Sequence, residues 1–441
     1  MITDINFKKN VGQRFWRHIH KETLIPYRGK TPSRILFLEK LCNDVENMKY
    51  VPSSPRGYVV SHKQNLVVRF IPALKREDLC VYFFCLKCLE KEIAKNRVKG
   101  TYGGWKLGGK IRKMENLDVV PSFPDYSYNR FAWMQAWTDY QNRAFNLQRN
   151  SKYNFFIVYD IANFYDSIRL GRLEILIREV VKRNKTEVVN LLIYFLSNWG
   201  KRDLNYNRQN IGLPQDEVGD CSRILANFYM QDYDKTVFSK CKRRSSGYLR
   251  FADDQIIASP DEKTAKEIMF LASKELAKIG LNLNANKAKL LKKSEFYDYW
   301  SFDIFKLLAN KNDRVSIEKA WKLFEQKITR KEQFKPESVL KRILSCNLNK
   351  VSLKIRKEIL TAVKEKDFIT SINEYYLKRI YIFLRSKERI LFLKYLNKLS
   401  KDVLFNRYHL CVMKFARECS VSKMYLNKLK PNLSKLNDMN Q

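Results

Sequence analysis

The stretch YLRFADDQIIAS, residues 248–259, places two adjacent acids between two runs of apolar and β-branched residues. Two such runs that are separated by a short polar pair predict a strand, a tight turn and a second strand. Asp253 and Asp254 would then lie at the turn, where aspartate is common because its side chain hydrogen-bonds the local backbone. The sequence therefore predicts a β-hairpin. By itself it leaves open whether the two carboxylates only form the turn or also hold metal ions.

A second predicted strand also ends in an acid. In NFFIVYD, residues 154–160, the apolar run ends at Asp160, which alone would be interpreted as a helix cap or a turn residue. If both strands end on the same side of one sheet, however, the oxygens of these acids can surround a pair of hard cations. Magnesium prefers octahedral oxygen ligation and usually keeps substrate phosphates among its ligands. Two such ions about 4 Å apart stabilise the attacking and leaving oxygens of a phosphoryl transfer, so the pattern predicts that chemistry.

The charge of the chain indicates a polyanionic partner. Among 441 residues, 84 are lysine or arginine and 46 are aspartate or glutamate, which gives a formal net charge of +38. An excess of this size favours nucleic acid over the alternative, an anionic membrane surface. No apolar run is long enough to predict a membrane span, and the start MITDINFKKNVGQRFW does not resemble a signal peptide. Nine cysteines without an export signal predict reduced thiols in a cytosol.

The pattern of apolar residues predicts an α+β fold followed by a helical region. Strands and helices alternate irregularly up to about residue 310, which predicts a sheet packed on helices. Residues 76–95 predict a helix with buried cysteines, and residues 262–280 an amphipathic helix that ends in glycine. The glycine-rich stretch TYGGWKLGGK, residues 101–110, lacks the Lys-Ser/Thr pair that ends a P-loop. It is interpreted as a flexible fingertip or a connector. Residues 311–441 contain 31 lysines and arginines against 13 acids, a net charge of +18, with helical periodicity. Two interpretations of this charge remain open: a surface that binds a nucleic-acid duplex, and an ordinary solvated surface.

Four stretches in this order resemble the palm motifs of reverse transcriptases: YDIANFYDSI, GLPQDEVGDCSRILANFY, LRFADDQIIAS and GLNLNANKAKL. Upstream, VVRFIPALKREDL resembles the fingers motif of the same family, and the resemblance covers roughly residues 60–305. It implies an α+β right-hand polymerase fold with fingers and an antiparallel palm sheet, followed by an all-helical basic thumb. The expected domains are a basic lead-in (1–60), fingers (60–150), the catalytic palm (150–305) and a helical thumb or C-terminal RNA-binding region (306–441).

The resemblance implies a catalytic role for several single residues. Asp160, Asp253, Asp254 and Lys287 correspond to catalytic positions, and Lys287 stands where the family has a lysine that protonates the departing pyrophosphate. The implied metal ligands are Asp160, Ile161 and Asp253. They would hold two Mg²⁺ ions, with Mn²⁺ as an alternative.

Other positions correspond to contacts with nucleotide and nucleic acid. Tyr165 occupies the place of the steric gate, whose ring beneath the sugar would clash with a 2′-hydroxyl. Gln215 resembles a residue that contacts the nucleotide or the template backbone, and Arg69 a fingers cation that meets the triphosphate. Arg250 and Phe251, directly before the turn, are expected to contact nucleic acid.

The stretch SRILA, residues 222–226, is similar to reverse transcriptases of abortive-infection and other antiphage defence systems of bacteria. That resemblance implies a dedicated non-coding RNA template, dNTP substrates and a cDNA product in the bacterial cytoplasm, with no membrane partner and with an oligomer left open. Asp216 departs from the family, which usually has glycine there. Two alternatives remain. One is an RNA-templated RNA polymerase, since Asp160 and Asp166 also fit the spacing of the acid pair that such enzymes use. The other is a catalytically inert RNA-binding scaffold.

Overall fold

The computed structural model describes residues 6–421, apart from positions 22, 28, 63–67, 105–106, 108–131, 201–209, 217 and 219, and it also describes residue 425. The chain divides into two compact units. Unit 1 comprises Met1–Gly57 and Pro72–Lys293, and unit 2 comprises Tyr58–Ile71 and Ser294–Gln441. Within the described residues, no helix is both long enough and apolar enough to cross a membrane. The division into four domains stays a prediction.

Nine strands form three sheets in the described part of the chain. Their bounds are β1 Tyr58–His62, β2 Val68–Pro72, β3 Thr101–Tyr102, β4 Phe155–Tyr159, β5 Ile161–Ala162, β6 Gly247–Phe251, β7 Asp254–Ser259, β8 Asn282–Leu283 and β9 Lys289–Lys292. The largest sheet lies in unit 1 and has the order β3-β6-β7-β4-β9, while β1 pairs with β2 and β5 pairs with β8. The pairs β6–β7, β7–β4 and β4–β9 are antiparallel, whereas β3 is parallel to β6. The sheet is therefore mixed rather than purely antiparallel, because the short strand β3 joins its edge in the same direction as β6.

Nineteen α-helices accompany these strands in the described residues. The first ten lie in unit 1: α1 Phe7–Asn10, α2 Gln13–Lys21, α3 Arg34–Glu46, α4 Arg76–Ile93, α5 Ala132–Arg149, α6 Leu170–Val180, α7 Thr186–Leu196, α8 Asp220–Tyr229, α9 Gln231–Arg243 and α10 Glu262–Lys278. The others are α11 Lys293–Tyr299, α12 Phe302–Leu307, α13 Arg314–Thr329, α14 Pro336–Leu344, α15 Leu353–Ala362, α16 Lys366–Ser371, α17 Glu374–Phe383, α18 Ser386–Asp402 and α19 Asn406–Glu418. The predicted α+β fold with a helical C-terminal region is confirmed.

The predicted hairpin is also confirmed. Strands β6 and β7 pair with Phe251 opposite Asp254, so Ala252 and Asp253 form the turn. Ala252 has a φ of 52°, a left-handed conformation that costs a residue other than glycine about 1–2 kcal/mol. Beyond Asp254 the whole of β7 is buried, since it is an interior strand and helices α5 and α10 also contact it. The core thus holds the strained turn in place.

Two helices predicted from the sequence are present. Helix α4 lies in the core of unit 1 and buries Cys80 and Cys85, and burial raises the pKa of the Cys85 thiol. Helix α10 begins after Asp261, whose side chain accepts a hydrogen bond from the backbone N–H of Thr264 over 2.8 Å. It ends shortly before Gly280, which has a φ of +79° and so provides the left-handed residue that terminates many helices.

In unit 2, a side chain from α19 satisfies the backbone of strand β1. Asn406 accepts a hydrogen bond from the backbone N–H of Val60 over 2.7 Å and donates one to the carbonyl oxygen of Tyr58 over 2.8 Å. Buried backbone groups without partners are costly, so this side chain stabilises strand β1. The two-stranded sheet on which Arg69 lies is therefore held by a helix more than 300 positions later in the chain.

Candidate active site

Three acids meet at one end of the central strands. Asp160 directly follows β4, Asp253 lies in the turn after β6, and Asp254 is the first residue of β7. Because Tyr159 of β4 lies opposite Gln255 of β7, the end of one strand is held beside the start of the other. The side chains of Asp160 and Asp253 lie within hydrogen-bonding reach. We refer to Asp160, Asp253 and Asp254 as the acid cluster. The structure thus brings together the three acids that the sequence predicts to be catalytic.

The acid cluster carries more negative charge than its surroundings stabilise. Burial, the charge of Asp254, and the charge and hydrogen bond of Asp160 together raise the pKa of Asp253 to about 8. The Asp160 residue is only 3% exposed, so little water screens the repulsion between these carboxylates. Two carboxylates within hydrogen-bonding reach of each other are both ionised only when a positive charge is added beside them. The cluster therefore has the electrostatics of a cation site.

One positive charge comes from Lys287. Its ammonium group donates a hydrogen bond to Oδ2 of Asp160 over 2.5 Å, and the backbone N–H of Asn284 donates to the carbonyl oxygen of Asp160 over 2.8 Å. Partial burial acts to lower the pKa of Lys287, but the hydrogen bond to Asp160 and the charges of the acid cluster outweigh it and raise that pKa. Lys287 is thus a charged partner of Asp160 here, and its role as proton donor to pyrophosphate stays a prediction.

The remaining oxygens fit a hard divalent cation. Oδ1 of Asp160 is buried and has no hydrogen-bond partner, which is costly for a carboxylate oxygen unless a cation binds it. The side chain of Ile161 is apolar and buried, so its main-chain carbonyl is the only atom that could be the predicted ligand. Carboxylate and carbonyl oxygens suit Mg²⁺ and Mn²⁺. Across the described residues, no group of three or more His, Cys, Asp or Glu side chains has the arrangement of metal ligands. The predicted ligand set contains two such side chains and one carbonyl.

Two of the predicted nucleotide contacts lie on neighbouring segments. The backbone N–H of Leu213 donates a hydrogen bond to the carbonyl oxygen of Tyr165 over 2.9 Å, and that of Gly212 donates to Ile168 over 2.7 Å. These bonds hold the segment that leads to Gln215 against the turn that contains Tyr165. Both side chains are half-buried. Their roles in binding nucleotide stay predictions.

Arg69 and Asp216 have different surroundings. Arg69 is exposed on β2, in unit 2, and its contact with a triphosphate stays a prediction. Asp216, which departs from the family pattern, is buried and interacts with at least one other group. A buried carboxylate requires such an interaction because its charge is otherwise poorly solvated.

The structure corrects the prediction that Arg250 contacts nucleic acid. Arg250 is completely buried, and its guanidinium forms a two-pronged ion pair with Asp234 on α9, with Nη2 and Oδ2 2.6 Å apart. It also donates to the side chain of Asn227 and to the carbonyl oxygen of Ala252. The charged group is therefore inaccessible to a ligand. An arginine inside an apolar strand faces solvent at the edge of a sheet or finds a buried partner in its interior, and the sequence does not show which of the two holds here.

Phe251, the other predicted nucleic-acid contact, is half-buried. Its ring packs against two aromatic rings of α5, with centroids 4.9 Å from Trp137 and 5.7 Å from Tyr140. These contacts hold the end of β6 against the helix. A contact with nucleic acid stays a prediction for Phe251.

Comparison with protein-family models finds a match within the chain. Residues 110–304 match the family described as reverse transcriptase (RNA-dependent DNA polymerase). The matched range contains the acid cluster, Tyr165, Gln215 and Lys287, while Arg69 lies outside it. A search of curated proteins gives no match.

Comparison with solved structures gives distant similarities to yeast telomerases. Apo telomerase from Candida tropicalis is 10% identical with a TM-score of 0.36, over 90% of this chain and 74% of the telomerase chain. The same enzyme in complex with the TWJ fragment of telomeric RNA is 13% identical with a TM-score of 0.35, over 81% and 67% of the two chains. Telomerase from Candida albicans with that RNA fragment is 10% identical with a TM-score of 0.35, over 91% and 68%.

We predict that divalent cations stabilise the protein through the acid cluster. Mn²⁺ at about 100 times its dissociation constant should stabilise the wild type by about 2.7 kcal/mol, and the variant D160N/D253N hardly at all. Without ions, the variant should be at least as stable as the wild type, because asparagine relieves the repulsion between carboxylates. Thermal denaturation with and without Mn²⁺ measures both effects. Asp232→Asn, at an exposed acid of α9, is the control. Equal stabilisation of D160N/D253N and wild type would contradict the metal site.

Proposed function

We propose that this chain is an RNA-directed DNA polymerase that transfers nucleotides at the acid cluster. The match of residues 110–304 to the reverse transcriptase family supports this activity. The observation that carries the proposal is the meeting of Asp160 and Asp253 at the ends of two strands, with one oxygen of Asp160 left without a hydrogen-bond partner. The reaction brings an anionic triphosphate and an anionic primer end to these carboxylates. It therefore requires cations, and reverse transcriptase domains generally use divalent metal ions.

Each residue of the site has a distinct task in this proposal. Asp160, Ile161 and Asp253 would hold two Mg²⁺ ions, or Mn²⁺, and bound ions would supply the positive charge that lowers the pKa of the primer hydroxyl and neutralises the phosphates. Asp254 adds negative charge beside Asp253 and so strengthens the attraction for cations. Lys287 occupies Oδ2 of Asp160, which leaves Oδ1 for a cation, and its ammonium group is the proton source for the departing pyrophosphate.

Tyr165 and Gln215 select and align the nucleotide. The ring of Tyr165 lies beneath the sugar and leaves no room for a 2′-hydroxyl, so the enzyme prefers dNTPs. Gln215, on the segment bonded to the Tyr165 backbone, contacts the nucleotide or the template backbone. Hydrogen bonds between backbone groups fix this pair more rigidly than side-chain contacts alone would. Rigid positioning of the nucleotide lowers the barrier to nucleotide transfer.

The template in this proposal is a dedicated, structured non-coding RNA, and the product is cDNA. The net charge of +38 supports a polyanionic partner, and RNA of this kind is recognised through its shape and its backbone. The resemblance of SRILA to defence enzymes supports a role in bacterial antiphage defence by abortive infection, and a cytoplasmic location is part of this proposal. An oligomeric state is compatible with this role.

We predict that D253A/D254A abolishes DNA synthesis and leaves RNA binding intact. Removal of both carboxylates should reduce primer extension at least about 1000-fold, a loss of about 4 kcal/mol of transition-state stabilisation, because cations are no longer held. Primer extension and RNA binding by filter retention measure the two properties. Asp232→Asn is again the control. Synthesis by D253A/D254A would refute the catalytic assignment, and absence of synthesis by the wild type would favour the inert scaffold.

We predict that Tyr165→Ala increases incorporation of ribonucleotides. Removal of the ring opens the space beside C2′, so the preference for dNTPs over rNTPs should fall by about 10- to 100-fold, the range that one steric contact controls. The ratio of kcat/KM for the two substrates is the measurement. Tyr375→Ala, at an exposed tyrosine of α17, should keep the wild-type ratio. An unchanged ratio in Tyr165→Ala would exclude the steric gate, and a wild type that prefers rNTPs would favour an RNA polymerase.

We also predict that the purified protein carries one dominant RNA species. Sequencing of the co-purified nucleic acid, before and after addition of dNTPs, should yield one non-coding RNA and DNA complementary to part of it. A broad mixture of cellular RNAs, with no extended product complementary to any of them, would contradict a dedicated template. Because the contacts are largely electrostatic, the RNA should dissociate as the salt concentration rises.

A further inference from the structure

Arg250 joins the turn that contains Asp253 to two helices. Its Nη1 donates hydrogen bonds to the carbonyl oxygen of Ala252 and to Oδ1 of Asn227 on α8, each over 2.8 Å. Its Nε and Nη2 donate to the two oxygens of Asp234 on α9, over 2.8 and 2.6 Å. Since all of these groups are buried, water does not compete for the bonds. The position of the Ala252 carbonyl is therefore tied to the packing of both helices.

A second contact reaches Ala252 from strand β3. Gly103 follows β3 with a φ of +107°, and a Cβ atom there would lie 2.9 Å from the backbone nitrogen of Ala252. Asn227 links this segment to the same network, because its Nδ2 donates to the carbonyl oxygen of Gly104 over 2.7 Å. The start of the glycine-rich stretch, interpreted from the sequence as a fingertip or connector, thus packs on the turn. Glycine is required there because the two backbones approach so closely.

We propose that Arg250, Asn227 and Gly103 are positioning residues that hold Ala252 in its left-handed conformation and so direct Asp253 toward the cation site. The inference rests on the function proposed above for the acid cluster. Ala252 is not glycine, so its φ of 52° persists only where the surroundings impose it. Asp253 follows directly, and rotation of the Ala252 backbone would displace its carboxylate.

Stability alone does not account for Arg250. A buried ion pair is often replaceable by uncharged residues with no loss of stability, since desolvation of the two charges offsets their attraction. The charge of Arg250 is cancelled by Asp234, so it adds little positive potential for substrates. What an uncharged replacement lacks is a donor that reaches Asn227 and the Ala252 carbonyl together. Removing both charges at once therefore separates positioning from stabilisation.

The first test uses the full-length double variant D234N/R250M, in which asparagine keeps an acceptor for the hydroxyl of Tyr248. We expect the variant to fold with a moderately lower melting temperature, because Oδ1 of Asn227 and the carbonyl oxygen of Ala252 lose their donor. Its kcat for dNTP incorporation should be about 100-fold lower, with unchanged KM and RNA binding. Mn²⁺ affinity, measured by calorimetry without substrate, should fall about tenfold. The matched control is R244M/E267Q, which removes an exposed arginine–glutamate pair of the same unit and should match the wild type in all five quantities.

The second test compares Gly103→Ala with Gly104→Ala, and it holds even if the double variant does not fold. Both glycines have positive φ, but a Cβ on Gly104 would have no neighbour within 4 Å, so only Gly103→Ala pushes on Ala252. We expect Gly103→Ala alone to lower kcat and Mn²⁺ affinity. Equal values for the two alanine variants, or a folded D234N/R250M with wild-type kcat and Mn²⁺ affinity, would overturn the proposal. A wild type without polymerase activity would instead refute the proposed function, while Mn²⁺ affinity would still test the positioning.

Discussion

Repulsion between carboxylates at the ends of β4 and β7 is the constraint on which the active site of unit 1 depends. The antiparallel register places Tyr159 opposite Gln255 and so brings Asp160 beside the hairpin turn. A shift by one residue would turn the buried side chains of both strands to the wrong face of the sheet. The acids are therefore unable to separate while the core is intact. The free energy of core packing keeps together charges that would otherwise move apart. A bound cation would reduce the repulsion between these carboxylates.

Positive charge has three different tasks in this chain. Lys287 partly neutralises the charge of Asp160 through a direct hydrogen bond. The charge of Arg250 is neutralised by Asp234, and its guanidinium positions neighbouring groups. The excess that gives the net charge of +38 acts over a longer range, because exposed charges attract a polyanion within about 10 Å in ordinary salt. The number of basic residues thus supports a polyanionic partner, but it does not identify which of these residues would bind it.

A buried polar network supports both strands that carry the acids. Oε1 of Gln255 accepts a hydrogen bond from Tyr233 over 2.7 Å and lies 3.1 Å from the hydroxyl of Tyr248, and the hydroxyls of Tyr233 and Tyr159 lie 3.0 Å apart. Burial raises the pKa of all three tyrosines, so they remain protonated donors. Tyr159 precedes Asp160 and Gln255 follows Asp254, so the network fixes the residue next to an acid on each strand. The network is rigid because each tyrosine hydroxyl in it has a buried partner.

The sequence by itself determined the local features of this protein. The hairpin at 248–259, the strand that ends at Asp160 and helix α10 with its cap and its glycine depend on neighbours a few positions away, and such patterns are visible along the chain. The convergence of the three acids was also predictable, because motifs in a familiar order imply their arrangement in space. The close approach of Gly103 to the turn was not visible, since it depends on the pairing of β3 with β6.

Only the tertiary structure decided the role of Arg250. The stretch YLRF is compatible with an edge strand, where an arginine faces solvent, and with an interior strand, where it must find a buried partner. The choice depends on β3, which covers the other side of β6, and on α9, which brings Asp234 into reach from 16 positions earlier. Burial is a property of the assembled sheet and helices, and no local pattern of residues encodes it.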